Sequence, residues 1–333
     1  MKPVHYKAPL LAVGIALAVS FASPVNAAEV VIRAQTALPT KHDLSQSFLK
    51  LFVDKLNAAG KGVVQVKYLG GPEVTPVKKA APALKRGVLD MLHSPAAYHA
   101  GITPQSQALM ATNMTPTEVR ANGGFDIIEK VWKEKLNAKI LAWSETAAQF
   151  YLYTAKEPVI KDNKIDLTGF KMRATGAYRP LLKALNATAV QMPAGEVYTA
   201  LQRGLVDGFG WPTVGLGAMG LAEVTKYRIE PAFYHLANLI LVNQDFWNKM
   251  PKEAQKILIK VAAEYEEASI KDMQEARIKD TATVMEKGVK IFKLEGEVRK
   301  NYLKAAYDSM WDRVGTKLSK EEVKILRSKL YRE

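Results

Sequence analysis

Apolar residues recur along the first half of this chain at two spacings, one typical of strands and one typical of helices. Apolar side chains between residues 44 and 56 fall on one face of a helix that ends at Gly60, and a second helix is predicted over residues 77–86. The predicted strands are residues 29–36, 63–68, 88–92, 138–143 and 149–153. Such a βαβ order predicts an α/β fold with a mainly parallel sheet and helices on both faces.

A second alternation of strands and helices begins near Gln149, so the segment from Trp143 to Gln149 predicts a strand that crosses between two lobes. An apolar stretch at residues 234–242 predicts the return to the first lobe. The chain has no Gly/Ser-rich linker, so repeated crossings indicate a hinge. The predicted first lobe comprises residues 28–146 plus 234–270, and the predicted second lobe comprises residues 147–233 plus 271–333.

One long helix is predicted over residues 251–287, which contain no internal proline or glycine. At about 1.5 Å per residue it reaches roughly 55 Å, which is enough to lie across both lobes. Two helices with a break near Ser269 or Asp272 remain an alternative. The apolar spacing does not sustain the heptads of a coiled coil.

The first 27 residues have the pattern of a secretory signal peptide. Lys2 and Lys7 make a basic start, residues 8–21 carry no charge, and Val25-Asn26-Ala27 places small residues at a cleavage site. A retained N-terminal anchor is the alternative. No later run of about 18 apolar residues occurs, so the expected location is the periplasm.

The chain has 333 residues, 48% of them hydrophobic, with a formal charge of +14 and no cysteine. Removing Lys2 and Lys7 leaves +12, a balance that suits nucleic acid, anionic membranes or small anions. Lysines are interspersed with acids, as in Lys252-Glu253, which disfavours nucleic acid. The absence of cysteine excludes disulfides, thiolate catalysis and cysteine-based metal sites.

Arg173 ends a short β-like segment, Gly-Phe-Lys-Met-Arg at 169–173, that should be largely covered. A covered guanidinium needs an anion or several acceptors, because it cannot be neutralised by losing a proton. A ligand carboxylate would supply two parallel hydrogen bonds. An ion pair with an aspartate or glutamate of the same chain is the alternative.

Four motifs resemble the substrate-binding proteins of tripartite ATP-independent periplasmic (TRAP) transporters, the C4-dicarboxylate-binding-protein-like family. They are Leu-Gly-Gly-Pro-Glu-Val at 69–74, Ala-Leu-Lys-Arg-Gly-Val-Leu-Asp at 83–90, Gly-Phe-Lys-Met-Arg at 169–173 and Glu-Val-Tyr-Thr-Ala-Leu-Gln-Arg-Gly-Leu-Val-Asp-Gly at 196–208. The resemblance covers nearly the whole mature chain. It implies a two-lobed periplasmic binding protein, type II-like, that closes on an organic acid and delivers it to membrane permease subunits. The family's carboxylate-clamping arginine falls on Arg173.

Other positions differ from the family pattern. Trp211 stands where many relatives present an asparagine, although inter-lobe packing is an alternative role for it. Gln149 stands where many relatives have arginine, and Ala194-Gly195 replaces a frequent aromatic. Some tryptophan-bearing relatives hold a metal ion with a carboxylate that is replaced here by Gly210, which puts that metal site in doubt. An indole and an amide favour a monocarboxylate or 2-oxo acid with an apolar or aromatic tail.

Three further residues are candidates for the ligand pocket. His42 and Tyr98 follow predicted strands, and open α/β sheets bind ligands at their strand ends. Either side chain could equally be an exposed loop residue. His235 lies in the apolar return segment, where a buried core histidine is the more common role.

No pattern in the chain indicates catalysis. The five histidines form no His-x-x-x-His pair, and no Gly-x-Ser-x-Gly motif is present. The expected protein is a monomeric receptor without a cofactor or bound metal and without enzymatic activity. A C4-dicarboxylate receptor, the receptor of an ATP-driven system, a periplasmic enzyme and a ligand-sensing binding protein remain alternatives.

Overall fold

A computed structural model describes residues 1–3, 28–192 and 194–332. Apart from its first three residues, the predicted signal peptide at 1–27 lies outside the described residues. Within the described ranges, no helix is both long enough and apolar enough to cross a membrane.

The described residues form thirteen strands and twelve α-helices. The strands are β1 (Val30–Thr36), β2 (Val64–Gly70), β3 (Met91–Pro95), β4 (Ala138–Ser144), β5 (Gln149–Thr154), β6 (Val159–Lys161), β7 (Lys164–Asp166), β8 (Lys171–Arg173), β9 (Thr188–Val190), β10 (Gly208–Pro212), β11 (Tyr227–His235), β12 (Asn238–Asn243) and β13 (Lys290–Lys293). The helices are α1 (Asp43–Phe48), α2 (Asp54–Ala59), α3 (Val77–Lys85), α4 (Ser106–Met110), α5 (Pro116–Ala121), α6 (Gly124–Leu136), α7 (Arg179–Ala184), α8 (Val197–Gln202), α9 (Gln244–Lys249), α10 (Lys252–Glu286), α11 (Gly296–Gly315) and α12 (Lys320–Leu330).

The first lobe is built on a five-stranded sheet of order β2-β1-β3-β12-β4. β1 is parallel to β2 and to β3, whereas β12 is antiparallel to β3 and to β4. Every residue of β12 is buried, because it is an inner strand whose alternate side chains pack into the hydrophobic clusters on the two faces of the sheet. The helical segment from α1 through a π-helical turn (Leu49–Val53) to α2 covers one face with Phe48, Phe52 and Leu56.

The second lobe is built on a six-stranded sheet of order β13-β11-β5-β10-β8-β9. β10 pairs antiparallel with β5 and parallel with β8, so the short strand that ends in Arg173 is held beside a longer one. β6 and β7 form a separate hairpin.

The prediction of a mainly parallel sheet holds only in part, because two mixed sheets form and five of their nine described strand pairings are parallel. The chain crosses between the lobes at residues 145–148, between β4 and β5, and again at 236–237, between β11 and β12. The returning strand β12 enters the first sheet from the opposite end, so it runs against β3 and β4. Parallel neighbours that follow each other in the chain, β1 and β2 and also β8 and β9, are connected by helical segments.

The long helix is confirmed as one piece, α10, with 35 residues and no break at Ser269 or Asp272. It packs against β4, α2 and the π-helical turn in the first lobe, and its far end reaches a short 3-10 turn at Gly217–Met219 in the second. Ser269 is fully buried in the middle of this helix. α11 then packs on α7 and β11, and α12 packs on α4 and α6.

Candidate functional site

A cavity of about 490 Å³ lies between the two lobes. Its first-lobe wall comes from the loops that follow β1 and β3, including His42 and Tyr98. Its second-lobe wall comes from β5, β8 and β10 and includes Arg173 and Trp211. The structure therefore brings four of the six predicted site residues to one cavity.

Arg173 is the buried cation of this cavity, with 4% of its surface exposed. Its Nε donates to the Met192 carbonyl over 3.3 Å, and its Nη1 donates to the Gly210 carbonyl over 3.4 Å. Both hydrogen bonds are long, and both acceptors are neutral. Among the described residues, no carboxylate forms an ion pair with this guanidinium.

Arg228 is a second buried arginine in the same lobe, and its hydrogen bonds differ from those of Arg173. It is equally buried, but its Nη2 lies 2.5 Å from the Glu230 carboxylate and its Nη1 donates to Thr281 over 3.1 Å. Its charge is thus compensated within the protein. The charge of Arg173 is not compensated in this way, which fits a role in holding an anion from outside.

Burial acts on the charge of Arg173. Desolvation lowers the pKa of its guanidinium, while Tyr178 and Tyr98 act in the opposite direction. Arginine nevertheless stays protonated in proteins, because its intrinsic pKa is very high. The cavity therefore contains a permanent positive charge in surroundings that solvate it poorly, and a carboxylate would relieve that penalty.

Trp211 lies on β10 opposite Tyr151 of β5 and has 7% of its surface exposed. The Cζ of Arg173 is 5.4 Å from the centroid of its ring, a cation–π distance. Its buried indole Nε1 has no hydrogen-bond partner among the described residues. The indole thus combines contact with the cation and an unused donor on the wall of the cavity.

Tyr178 is a cavity residue that the sequence analysis missed. Its ring packs directly on Gly210, where a β-carbon would lie 2.2 Å from the nearest ring atom. It also contacts Phe150 edge to face, with centroids 5.4 Å apart. Burial raises the pKa of its hydroxyl well above the usual value. The absence of a side chain at position 210 was a visible signal, but the ring that needs this space lies 32 positions away.

His42 caps the N-terminus of α1. Its Nδ1 accepts the N–H of Leu44 over 3.2 Å, so in the neutral ring the proton resides on Nε2. Burial lowers the pKa of this histidine, while the charges of Asp43 and Glu145 raise it. His42 is therefore mainly a neutral hydrogen-bond donor at neutral pH.

Tyr98 lies on a 3-10 turn (Ala96–His99) that follows β3 and is 45% exposed. It is one of the residues that line the cavity between the lobes. Desolvation raises the pKa of its hydroxyl, and the charge of Arg173 opposes this effect. Tyr98 thus faces the buried cation from the other lobe.

Gln149 and His235 lie outside the described wall of the cavity. They face each other across β5 and β11. The backbone N–H of Gln149 donates to the Thr213 hydroxyl over 3.2 Å. The Nδ1 of His235 lies 3.0 Å from the Thr146 carbonyl, and burial lowers the pKa of this histidine. A contact of either residue with ligand stays a prediction.

The described residues contain no group of three or more histidine, aspartate or glutamate side chains arranged to hold a metal ion. At position 210, the space for a carboxylate is taken by the Tyr178 ring.

Among the known proteins similar to this chain, two have nearly equal sequence identity to it. The chain is 29% identical over 199 residues to a monocarboxylate 2-oxoacid-binding periplasmic protein of Nostoc sp., covering 56% of this chain and 52% of that protein. It is 28% identical over 172 residues to the C4-dicarboxylate-binding periplasmic protein DctP of Rhodobacter capsulatus, covering 50% and 51%. The chain thus spans about half the length of each of these curated relatives.

The fold matches solved structures over nearly its whole length. A TRAP periplasmic solute-binding protein from Ochrobactrum anthropi superposes with a TM-score of 0.77 at 20% identity, covering 91% of this chain and 95% of that chain. The profile of the bacterial extracellular solute-binding protein family 7 matches residues 35–317. The chain therefore belongs to this family of periplasmic TRAP solute receptors, whose members are not enzymes.

Proposed function

We propose that this receptor binds a monocarboxylate or 2-oxo acid with an apolar or aromatic tail and delivers it to the membrane subunits of a TRAP transporter. The observation that carries the proposal is Arg173, a buried cation on the cavity wall without an anionic partner among the described residues. The organic acid would be the missing anion. Its carboxylate would form two parallel hydrogen bonds with the guanidinium.

The surroundings of Arg173 support an apolar tail. Phe150, Met110 and Leu236 line the cavity together with the rings of Tyr178 and Trp211. These side chains offer a large apolar surface and few hydrogen-bonding groups, which suits a ligand with one charged end. The similarity to the Nostoc 2-oxoacid-binding protein supports the same class of ligand.

Binding would work by closure of the lobes. His42 and Tyr98 come from the first lobe, while Arg173 and Trp211 come from the second, so a ligand between them contacts both. Closure excludes water, and the attraction between guanidinium and carboxylate strengthens as the local dielectric constant falls. The closed form would then be the state that the permease recognises.

Titration calorimetry with 4-methyl-2-oxopentanoate and phenylpyruvate tests the role of Arg173. We expect Arg173→Ala to fold but to lose about 2–5 kcal/mol of binding free energy, because one partner of a buried charge pair is removed. Arg173→Lys should recover only part of this, because lysine cannot form two parallel hydrogen bonds.

Arg179→Ala is the matched control. Arg179 is exposed, lies six positions away and is outside the cavity wall, so its removal changes the net charge by the same amount. Its affinity should stay close to that of the unmodified protein. Tight binding by Arg173→Ala, or equal losses in both variants, would overturn the assignment.

A C4-dicarboxylate is the second candidate, and one observation favours it. Lys41 is exposed on the rim of the cavity and could meet a second carboxylate, although Asp43 lies on the same rim. The similarity to the Rhodobacter capsulatus protein points the same way. Succinate in the same calorimetric series separates the two classes, and tighter binding of succinate than of either 2-oxo acid would replace the proposal.

A further inference from the structure

A buried residue with a left-handed backbone lies in the first strand crossing between the lobes, and another lies just before the second. Glu145, in the first crossing, has φ of 62°, and Tyr234, at the end of β11 before the second crossing, has φ of 48°. Both are fully buried, and neither is a glycine. This conformation is unfavourable for side chains other than glycine and persists only where the surrounding structure enforces it.

The surroundings of Glu145 are an extensive hydrogen-bond network. Its carboxylate accepts from the Tyr265 hydroxyl over 2.8 Å and from the Asn238 amide nitrogen. The Nε2 of His93 lies 3.4 Å from the same carboxylate. A buried carboxylate is costly unless it is hydrogen-bonded, so these partners define one arrangement of the crossing.

The partners of Glu145 come from three separate elements. Asn238 is the first residue of β12, directly after the second crossing, and His93 lies on the adjacent strand β3. Tyr265 lies on α10, as does Ser269, whose Oγ accepts the backbone N–H of Glu145 over 2.9 Å. One side chain thus joins the first crossing, the start of β12 and the long helix.

Tyr234 is fixed in a corresponding way. Its hydroxyl donates to the Ala306 carbonyl of α11 over 2.7 Å, and its ring packs edge to face on Phe150, with centroids 6.4 Å apart. Phe150 lines the ligand cavity. The second crossing is therefore tied to α11 on one side and to the cavity wall on the other.

We propose that Glu145 and Tyr234, the hinge anchors, are positioning residues for lobe closure: they fix the two crossings to α10 and α11 and so define the pivot of the lobes. With these attachments intact, the two strand crossings allow rotation only about the short segments between the anchors, while α10 connects the lobes as a third element. Without them, the ligand-free protein samples a wider range of openings, and closure on a ligand has to restrict more motion.

The complete absence of cysteine allows a direct measurement of the distance between the lobes. Spin labels are placed on Lys79→Cys and Arg203→Cys, two exposed positions on the first and second lobes. Double electron–electron resonance then gives the distribution of distances without ligand. We expect Glu145→Gln to broaden this distribution.

Asp90→Asn is the matched control for Glu145→Gln. Asp90 is also a buried carboxylate with several hydrogen bonds, but its partner Arg33 lies within the first lobe. Both variants replace a buried carboxylate by an amide, and only Glu145→Gln should broaden the distribution. A distribution equal to that of the unmodified protein, or equal broadening in both variants, would overturn the proposal.

Tyr234→Phe tests the second anchor and provides a test even if Glu145→Gln does not fold. It removes one hydroxyl, and Tyr153→Phe does the same at a fully buried tyrosine whose hydroxyl has no hydrogen-bond partner among the described residues. Broadening is expected for Tyr234→Phe alone. Equal distributions in the two variants would argue against the second anchor.

Binding kinetics provide a second readout, which rests on the proposed function. Stopped-flow measurements with 4-methyl-2-oxopentanoate should show dissociation about tenfold faster in Glu145→Gln than in Asp90→Asn. Equal dissociation rates in these two variants would contradict the hinge role. If the unmodified protein binds no acid at all, the proposed function fails, while the distance measurement still decides the hinge proposal.

Discussion

Gly210 has no side chain, and this leaves space for a ring that lines the cavity. The ring of Tyr178 occupies the space above it, beside Arg173. We expect Gly210→Ala to reduce the free energy of unfolding by about 1–3 kcal/mol, because the added methyl group overpacks against the ring. Displacement of Tyr178 should also weaken ligand binding, and chemical denaturation together with calorimetry measures both effects.

Gly195→Ala is the control for this change. Gly195 lines the same cavity, but a β-carbon there would meet no atom within 4 Å. Its stability should remain within about 0.5 kcal/mol of the unmodified protein. If the two variants had the same free energy of unfolding, the Tyr178 ring would move aside without loss of stability.

His99 predicts a pH dependence of stability. It is buried, neither ring nitrogen has a hydrogen-bond partner among the described residues, and desolvation lowers its pKa to about 4. Below pH 6.5 the unfolded chain binds a proton at this position that the folded chain does not bind. Through this histidine, the free energy of unfolding should therefore fall by about 3 kcal/mol as the pH falls from 6.5 to about 4. Below pH 4 it should change little further.

Replacing His99 by methionine removes the titrating group and keeps a side chain of similar size. Urea denaturation at pH 7 and pH 4 should show a smaller loss of stability in His99→Met than in the unmodified protein. Comparing the loss within each protein cancels any general effect of the substitution. The same loss in both proteins would show that His99 is protonated in the folded state or reached by water.

For single residues, the sequence is informative where a side chain has an unusual chemical requirement that its immediate neighbours reveal. The covered guanidinium of Arg173 and the indole of Trp211 could be recognised from their immediate neighbours, and both lie on the cavity wall. Glu145 could not, because Tyr265, which holds its carboxylate, is 120 positions away. Gln149 and His235 were candidates by position in the chain; they are paired across β5 and β11 outside the described wall of the cavity, and their contact with ligand stays a prediction.

The long helix α10 is the element that reaches from one lobe to the other. Asp272 lies in its middle, and proline there would remove the hydrogen bond to the Ala268 carbonyl and clash with that carbonyl. We expect Asp272→Pro to reduce the free energy of unfolding by about 3 kcal/mol, measured by chemical denaturation.

Asp272→Ala is the companion variant, because it removes the same carboxylate and keeps the helical backbone. Its stability should equal or slightly exceed that of the unmodified protein, since alanine is the best helix former. If both variants were equally stable, α10 would tolerate a break and could not act as one rigid element.

For helices and strands, a long periodic pattern predicted the bounds of an element well, whereas the ends of short strands could not be predicted. α10 follows its predicted bounds within one residue at each end. The strand predicted at 88–92 is instead Met91–Pro95, because the segment before it turns at Gly87, which has a positive φ, and leaves Val88 exposed. Strand direction depends on where the chain returns from the other lobe, which local spacing does not encode.

At the scale of the whole molecule, the lobes are built from interleaved parts of the chain. Residues 30–144 and 238–243 supply the first sheet, while residues 149–235 and 290–293 supply the second. The predicted net charge of +12 after removal of the signal peptide surrounds both lobes with a field that attracts anions. Under the proposed function, a general attraction of this kind would bring acids to the cleft, where Arg173 would bind the carboxylate.

The position of β12 inside the first sheet affects the order in which the protein can fold. β12 lies between β3 and β4, yet it begins 143 positions after the end of β3 and 94 positions after the end of β4, after most of the second sheet. Until the segment up to Asn243 has joined the folding chain, β3 and β4 have no common neighbour and their inner edges stay unpaired. The first sheet is therefore complete only with β12 and the second only with β13, so most of the chain must be present before either half is complete.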